Sequence, residues 1–160
     1  MRPIRTAETL APFLGRDLQL EYAQRGGFFE DADLASGRSP ERGTRRDLRI
    51  AAGLDNLTQA LANRLKTRRG ELAAVGHPTY GSRHHELVGE PNVDRTRNLI
   101  KLYVLQALRD EPRIEKVIRA VVSAEHDPPR ETVRIELELR VLGAPDPLNL
   151  VVPFSLEASL

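Results

Sequence analysis

The sequence predicts an α+β fold, in which two main helices pack on a small antiparallel three-stranded sheet near the C-terminus. Two observations support this fold class. Apolar residues recur at helical spacing in two central segments, and the period then changes to that of strands in the last third of the chain. Residues 1–47 show neither period, so we expect an irregular N-terminal arm over 1–47 and a domain over 48–160.

The composition excludes several classes of protein. The 160 residues suffice for one domain with its own core. The absence of cysteine excludes a disulfide framework and a thiolate metal site. A net charge of +1, from 24 basic and 23 acidic residues, argues against a nucleic-acid partner. No signal peptide and no run of roughly 20 apolar residues is apparent, so we expect cytoplasmic synthesis without membrane insertion.

The arm mixes glycine, serine and proline with charges of both signs, as in the stretch GGFFEDADLASGRSPERGTRRD. Such a composition is typical of loops, and no internal repeat is apparent. We interpret the cluster of arginines between Arg38 and Arg49 as a solvated loop rather than an anion site.

The first helix is predicted over about Asp55 to Thr67, where leucines recur at helical spacing. Asp55 or Asn56 is a candidate cap for its first turn, and Gly70 is a candidate for its end.

The segment GELAAVGHPTYGSRHHELVGEPN follows, and its glycines and prolines predict a structured loop with one helical turn near Arg83 to Leu87. We expect Tyr80 to pack inward, because its ring is apolar and its hydroxyl can be hydrogen-bonded locally.

The second helix is predicted over about Val93 to Asp110, with Asn92 as its candidate cap. It ends before Pro112, since proline disfavours a helical conformation in the residue before it.

Three strands are predicted after the second helix. RIEKVIRAVVSAE gives the first, and ETVRIELELRVL gives the second, with alternate apolar residues from Val133 to Val141 on one face. LNLVVPFSL gives the third, which we expect at an edge because Pro153 cannot donate to a ladder.

Two kinds of chemical site find little support in the sequence. A glycosidase needs two carboxylates across a sugar cleft, and the acids near the loop show no such pairing; they are Glu71, Glu86, Glu90 and Asp94. Adjacent histidines such as His84 and His85 do not share a face of a helix. We therefore expect no metal site, no cofactor and no enzymatic activity.

The stretch DEPRIEKV joins the second helix to the first strand. Pro112 holds Glu111 and Arg113 at a rigid corner, because its ring fixes the backbone. From these residues alone, a helix stop with two solvated charges is favoured over a surface that binds a partner.

The order of motifs resembles the baseplate wedge and sheath-initiator family of contractile injection machines, historically called tail-lysozyme-like. The resemblance covers roughly Leu48 to Leu156 and includes KTRRGEL, HPTYGSRHHELVGEPN and the EPR triplet. This chain departs from the family pattern by a longer run between the GE pair and the proline of the loop. Members occur in phage tails, type VI secretion baseplates and extracellular injection particles.

The resemblance implies a structural baseplate component that docks on wedge subunits through Glu111, Pro112 and Arg113. It also implies that the terminal strands pair with sheath subunits and start sheath assembly. The residues expected in that pairing are Val133, Ile135, Leu137, Leu139, Val141, Leu150, Val152 and Phe154.

Further expectations come from the resemblance. It implies six copies in the particle, contact with inner tube or hub proteins, and cytoplasmic assembly into a particle that some systems release. Two alternatives remain open: a peptidoglycan hydrolase of the baseplate, and a small protein-binding adaptor.

Overall fold

A computed structural model describes residues 13–25, 28–38, 46–125 and 131–157. Six short strands come first, and they are β1 (Arg16–Leu18), β2 (Leu20–Arg25), β3 (Phe28–Leu34), β4 (Ser36–Arg38), β5 (Arg46–Leu48) and β6 (Ile50–Ala52). Two helices and three longer strands follow, and they are α1 (Leu54–Lys66), α2 (Asp94–Arg109), β7 (Ile114–Ala124), β8 (Thr132–Val141) and β9 (Leu148–Ser155). The predicted α+β class is confirmed.

The C-terminal sheet is antiparallel, with the order β7-β8-β9. The apolar residues that alternate along β8, from Val133 to Val141, are all buried, because one face of the sheet packs on the helices. Their neighbours, such as Arg134 and Arg140, are exposed. The strand β9 with Pro153 lies at an edge, as the sequence predicts.

The two helices begin and end within one residue of their predicted bounds. Leu57, Leu61 and Leu65 of α1 are fully buried in the core that α2 and the sheet complete. The predicted caps do not form. Neither helix has a side-chain cap, and Asn56 instead donates from Nδ2 to the carbonyl of Leu14, at 2.8 Å.

The arm is more regular than the sequence predicts. Its described residues form three two-stranded antiparallel ladders, which pair β1 with β6, β2 with β3, and β4 with β5. The chain passes from one ladder to the next at Gln19, Ala35 and Arg49. The backbones of these three residues form a closed ring of hydrogen bonds, 2.8 to 2.9 Å long.

The three crossing points carry an internal repeat that the sequence analysis missed. An Asp-Leu pair precedes each of them, at Asp17-Leu18, Asp33-Leu34 and Asp47-Leu48. In each pair an aspartate Oδ1 accepts from the N–H of its leucine, at 2.7 to 2.9 Å. The arm therefore has an approximate threefold arrangement.

The side-chain amides of α1 hold the arm against the domain. Gln59 accepts from the N–H of Leu20 and donates to the carbonyl of Leu18, both at 2.8 Å. Asn63 accepts from the hydroxyl of Tyr22 at 2.6 Å. The polar side of α1 thus satisfies backbone groups of β1 and β2.

The loop between the helices has one predicted helical turn at Arg83–Leu87, which the structure confirms as a 3-10 turn. It is held to the end of α1 by a parallel bridge between Arg68 and Ser82. A β-carbon on Gly81 would lie 2.6 Å from the carbonyl oxygen of Thr67, so only glycine fits this approach.

Candidate functional site

The EPR triplet forms a compact corner between α2 and β7. The N–H of Glu111 donates to the carbonyl of Leu108, and the carbonyl of Glu111 accepts from Ile114, both at 3.1 Å. Pro112 is exposed, whereas Glu111 is only 5% exposed. The corner therefore turns its proline to solvent and its carboxylate inward.

Glu111 and Arg113 pair with each other inside the chain. Arg113 donates from Nε and Nη2 to the two carboxylate oxygens, at 2.6 and 3.0 Å. Arg64 of α1 adds a second positive charge, with its Nη2 3.8 Å from Oε2 of Glu111. Such a two-point contact is the strong form of an arginine–carboxylate pair.

The same guanidinium reaches the N-terminal segment. Nη1 of Arg113 donates to the carbonyl of Leu14 at 3.2 Å, the carbonyl that also accepts from Asn56. Tyr80 lies nearby and is half-buried, with the guanidinium of Arg64 4.7 Å from its ring centroid. The corner thus joins the arm, α1, α2 and β7.

The charge state of Glu111 follows from these contacts. Burial opposes ionisation, but the hydrogen bonds and the charge of Arg113 outweigh it, and the pKa of Glu111 lies below its ordinary value. The carboxylate is ionised and occupied by partners within the chain. What the corner offers outward is Pro112 and the partly exposed guanidinium of Arg113.

The eight residues expected in sheath pairing lie on two neighbouring strands of the C-terminal sheet. Five belong to β8, which is the central strand, and all eight side chains are buried in the core. A central strand already has two neighbours, so its backbone cannot accept a third. Pairing with another chain would therefore use an edge strand of this sheet, and Leu150, Val152 and Phe154 belong to one, β9.

The backbone groups that point outward from β9 can be assigned from the hydrogen-bond pattern. The N–H of Leu156 donates to the carbonyl of Glu131 at 2.9 Å, which makes these two residues a hydrogen-bonded pair. In an antiparallel ladder, bonded and non-bonded pairs alternate. The register is uninterrupted, so the residues that point away from β8 are Asn149, Val151, Pro153 and Ser155.

Proline at an outward position agrees with this assignment, because its missing N–H leaves the β8–β9 ladder intact. Within the described part of the chain, no strand pairs with this outer side of β9. Pro153 was the sequence signal that could have identified the outward residues. Because proline lacks an N–H it favours an outward position, and the residues two and four positions away along the strand then point outward as well.

The adjacent histidines are internal. His84 is 1% exposed, lies 2.8 Å from the hydroxyl of Ser82 and packs edge-on against Phe154. Burial, with the neighbouring His85, lowers the pKa of His84 to about 3. Nε2 of His85 lies 2.8 Å from the carbonyl of Leu65. Among the described residues, no three metal-ligating side chains come together as a cation site requires.

The four carboxylates of the hydrolase alternative are exposed. Glu86 forms a two-point ion pair with Arg83, and this hydrogen bonding holds the pKa of Glu86 below its ordinary value. Asp94 pairs with Arg97, and Glu71 accepts from the N–H of Arg68. A general acid needs a desolvated, protonated carboxyl group, and none of these four has such surroundings.

Comparison with known proteins identifies the family. The family model for baseplate wedge protein gp25 matches residues 51–146, which is more than half of the chain. The chain belongs to the baseplate wedge protein gp25 family. The resemblance seen in the sequence is therefore confirmed, and baseplate wedge membership indicates a structural role with other baseplate proteins as partners.

Two solved structures are similar to this gp25-family chain. A provisionally named tail lysozyme from Geobacter sulfurreducens is 29% identical, with a TM-score of 0.58, and the match covers 67% of this chain and 94% of that one. A chain of the baseplate complex from the type VI secretion system is 20% identical, with a TM-score of 0.50, and the match covers 64% and 92%. The second likeness shows the fold alone.

A search of curated proteins finds no match. Within the described ranges, every helix falls short of the length and apolarity that a membrane crossing demands.

Proposed function

We propose that this gp25-family chain docks on baseplate wedge subunits and starts sheath assembly by pairing β9 with a strand of a sheath subunit. The observation that carries the proposal is the outer side of β9, where N–H and carbonyl groups point outward and no described strand pairs with them, although β3 lies near this strand. An edge strand with unpaired groups binds an extended segment of another chain by strand addition. The core stays intact, because the bonds that β9 makes to β8 are not used.

The test replaces one outward donor of β9. Val151→Pro removes the N–H that points to the partner, and Pro153 already shows that this side of the strand accepts proline. We expect the folded variant to lose the sheath subunit in pull-downs from cells that make the whole particle. Val151→Thr keeps the N–H and the strand propensity, so it should retain the sheath subunit.

If Val151→Pro folds, as circular dichroism would show, and still brings down the sheath subunit, then β9 is not the pairing strand. Removal of the whole segment after Val133 is a poorer test, because it deletes core residues of β8 and would unfold the domain.

We also propose the EPR corner as the surface that docks on wedge subunits. Its outward groups are Pro112 and the guanidinium of Arg113, while Glu111 fixes that guanidinium from within. A rigid corner loses little conformational entropy on binding, which favours affinity. The interpretation of this stretch as a helix stop with two solvated charges is therefore wrong for Glu111, which is buried and holds Arg113 in place.

Arg113→Ala separates the two roles of the corner. We expect it to lower the free energy of unfolding by about 3 kcal/mol, since it leaves a buried carboxylate with one distant partner. At a temperature where circular dichroism shows a folded variant, we expect it to lose wedge subunits in the same pull-down. Arg83→Ala breaks an exposed arginine–glutamate pair and is the matched control, which should keep them.

Wedge binding by folded Arg113→Ala would limit the triplet to an internal role.

The remaining elements of the proposal follow from the family: six copies in the particle, contact with inner tube or hub proteins, and cytoplasmic assembly before any release. The division into an arm of 1–47 and a domain of 48–160 is also proposed, and it lies close to the start of the family match at residue 51.

We propose a structural role without hydrolysis, because the four candidate carboxylates are exposed and the buried Glu111 is held ionised. Purified chain should not clear bacterial cell walls. Clearing that disappears when one of Glu71, Glu86, Glu90 or Asp94 is neutralised would establish the hydrolase instead.

A further inference from the structure

A cavity of about 320 Å³ lies beside β9. One wall is formed by three consecutive residues of β9, Leu150–Val152. The second wall is one side of α1, which includes Thr58 and Ala62, and the third wall is β2, through Leu20 and Tyr22. Apolar groups predominate, but the polar residues Gln19, Asp55, Gln59 and Lys66 also line the cavity, and its size is at the lower end of the roughly 300–1,000 Å³ of ligand sites.

The described residues that line the cavity include none from β8, and β2 lies across the cavity from β9, so the cavity lies on the side of β9 that faces away from β8. Successive side chains of a strand point to opposite faces, and the middle residue of three can line such a space through its backbone. Leu150 and Val152 are buried, whereas Val151 is 45% exposed, so they do lie on opposite faces. The cavity therefore lies along the outer side of β9, between this strand and β2, and a strand added to β9 would run beside it.

We propose that this cavity receives a bulky apolar side chain from the strand that pairs with β9. The inference rests on the proposed strand pairing and adds the chemistry of the occupant. Directly opposed residues on paired strands point to the same face. The partner residue opposite Leu150 or Val152 would thus point toward α1 and into the cavity, covered by Ala62 and Thr58.

The cavity gives the pairing its selectivity. Backbone pairing alone accepts many sequences, and side-chain pockets distinguish between them. A leucine, isoleucine or phenylalanine would bury its side chain against Leu150, Val152 and Ala62, whereas a lysine or arginine at the same position would lose hydration and meet the positive charge of Lys66. The preferred sheath strand therefore carries a large apolar residue on its inner face at this register.

The test fills the cavity from α1 without altering β9. Ala62→Leu adds a side chain at a half-buried helical position that lines the cavity, and leucine suits a helix. We expect binding of the purified sheath subunit of the same particle, measured by biolayer interferometry, to weaken at least about tenfold. Ala60→Leu makes the same change in the same helix away from the cavity walls, and it should stay within about twofold of wild type.

Val151→Pro in the same assay separates this inference from the proposed function. Loss of binding in both Val151→Pro and Ala62→Leu, with unchanged circular dichroism, supports the occupied cavity. Loss in Val151→Pro alone overturns the cavity inference and leaves strand pairing intact. Binding by both variants refutes the pairing itself.

A second copy of this chain is the competing occupant. Sedimentation of the chain alone would overturn the proposal if it revealed a dimer that Ala62→Leu dissociates, because the cavity would then serve self-association. A monomer at the concentrations used for binding supports the sheath strand as occupant.

Discussion

Glu111 is the one acidic residue that the fold buries among the described residues. Its position beside Arg113 at a rigid corner could be predicted from the sequence, because Pro112 stands between the two residues. The other contacts of the corner could not be predicted, since the carbonyl of Leu14 that Arg113 binds lies 99 positions earlier in the chain. A contact over that separation depends on the packing of α1 and the arm, which no local pattern reports.

His84 makes the stability of the fold depend on pH. Its pKa is lowered in the folded chain to about 3, so the unfolded chain binds more protons below about pH 6.5. Stability is therefore complete above that pH and is lost as the pH falls toward 3. We expect the free energy of unfolding, from urea titrations, to drop by about 2 kcal/mol between pH 6.5 and 5.

His84→Gln removes the titrating ring, so its unfolding free energy should vary less over the same pH interval. Burial also lowers the pKa of His85, against the hydrogen bond to Leu65, so part of the dependence should remain. The exposed His77→Gln is the control, and it should keep the wild-type slope. An undiminished slope in His84→Gln would assign the pH dependence to other groups.

At the level of elements, the loop between the helices depends on Gly81. Both Gly81 and Gly76 have positive φ, of 96° and 92°, but a β-carbon on Gly76 meets nothing within 4 Å. Gly76→Ala should therefore lower the free energy of unfolding by only about 1 kcal/mol, which is the cost of placing alanine in the left-handed conformation. Gly81→Ala adds a clash with the backbone of Thr67 and Arg68. We expect it to lower the free energy of unfolding, measured by thermal or urea unfolding, by about 3 kcal/mol.

Equal effects of the two glycine substitutions would mean that the loop can move away from the end of α1. The parallel bridge between Arg68 and Ser82 would then be a weak contact, not the support of the Arg83–Leu87 turn.

The elements that were predicted correctly share a physical cause. Helices and long strands that bury one face leave a period in the sequence, as the alternation along β8 does. The ladders of the arm contribute mostly three residues per strand and expose Leu18, Leu34 and Leu48, so neither period nor burial marks them. The repeated Asp-Leu pair was a visible signal, but its meaning depends on backbone bonds between distant segments.

On the scale of the whole molecule, Gln59 is one of the side chains that attach the arm. Its amide bonds two backbone groups of β1 and β2, and Asn63 and Arg113 bond the arm at Tyr22 and Leu14. Gln59→Leu keeps the size of the side chain and removes both bonds. We expect faster hydrogen exchange at Leu20, by about tenfold or more, while the amides of β8 stay protected.

The matched control is Gln106→Leu, which makes the same change on α2, away from the arm. Uniformly faster exchange across the arm and β8 would mean that Gln59 supports the whole fold and not the arm alone.

Pro153 has a further consequence, which concerns symmetry. Two identical β9 strands that met edge to edge would bring two prolines to their shared ladder, whatever the register, and each proline omits one N–H. When β9 pairs with a strand that has no proline, only one N–H is missing from the shared ladder. Each absent hydrogen bond forfeits about 0.5–1.5 kcal/mol, so like pairs bind several-fold less tightly than unlike pairs. One residue thus keeps the edge available to a different chain while discouraging fibres of its own kind.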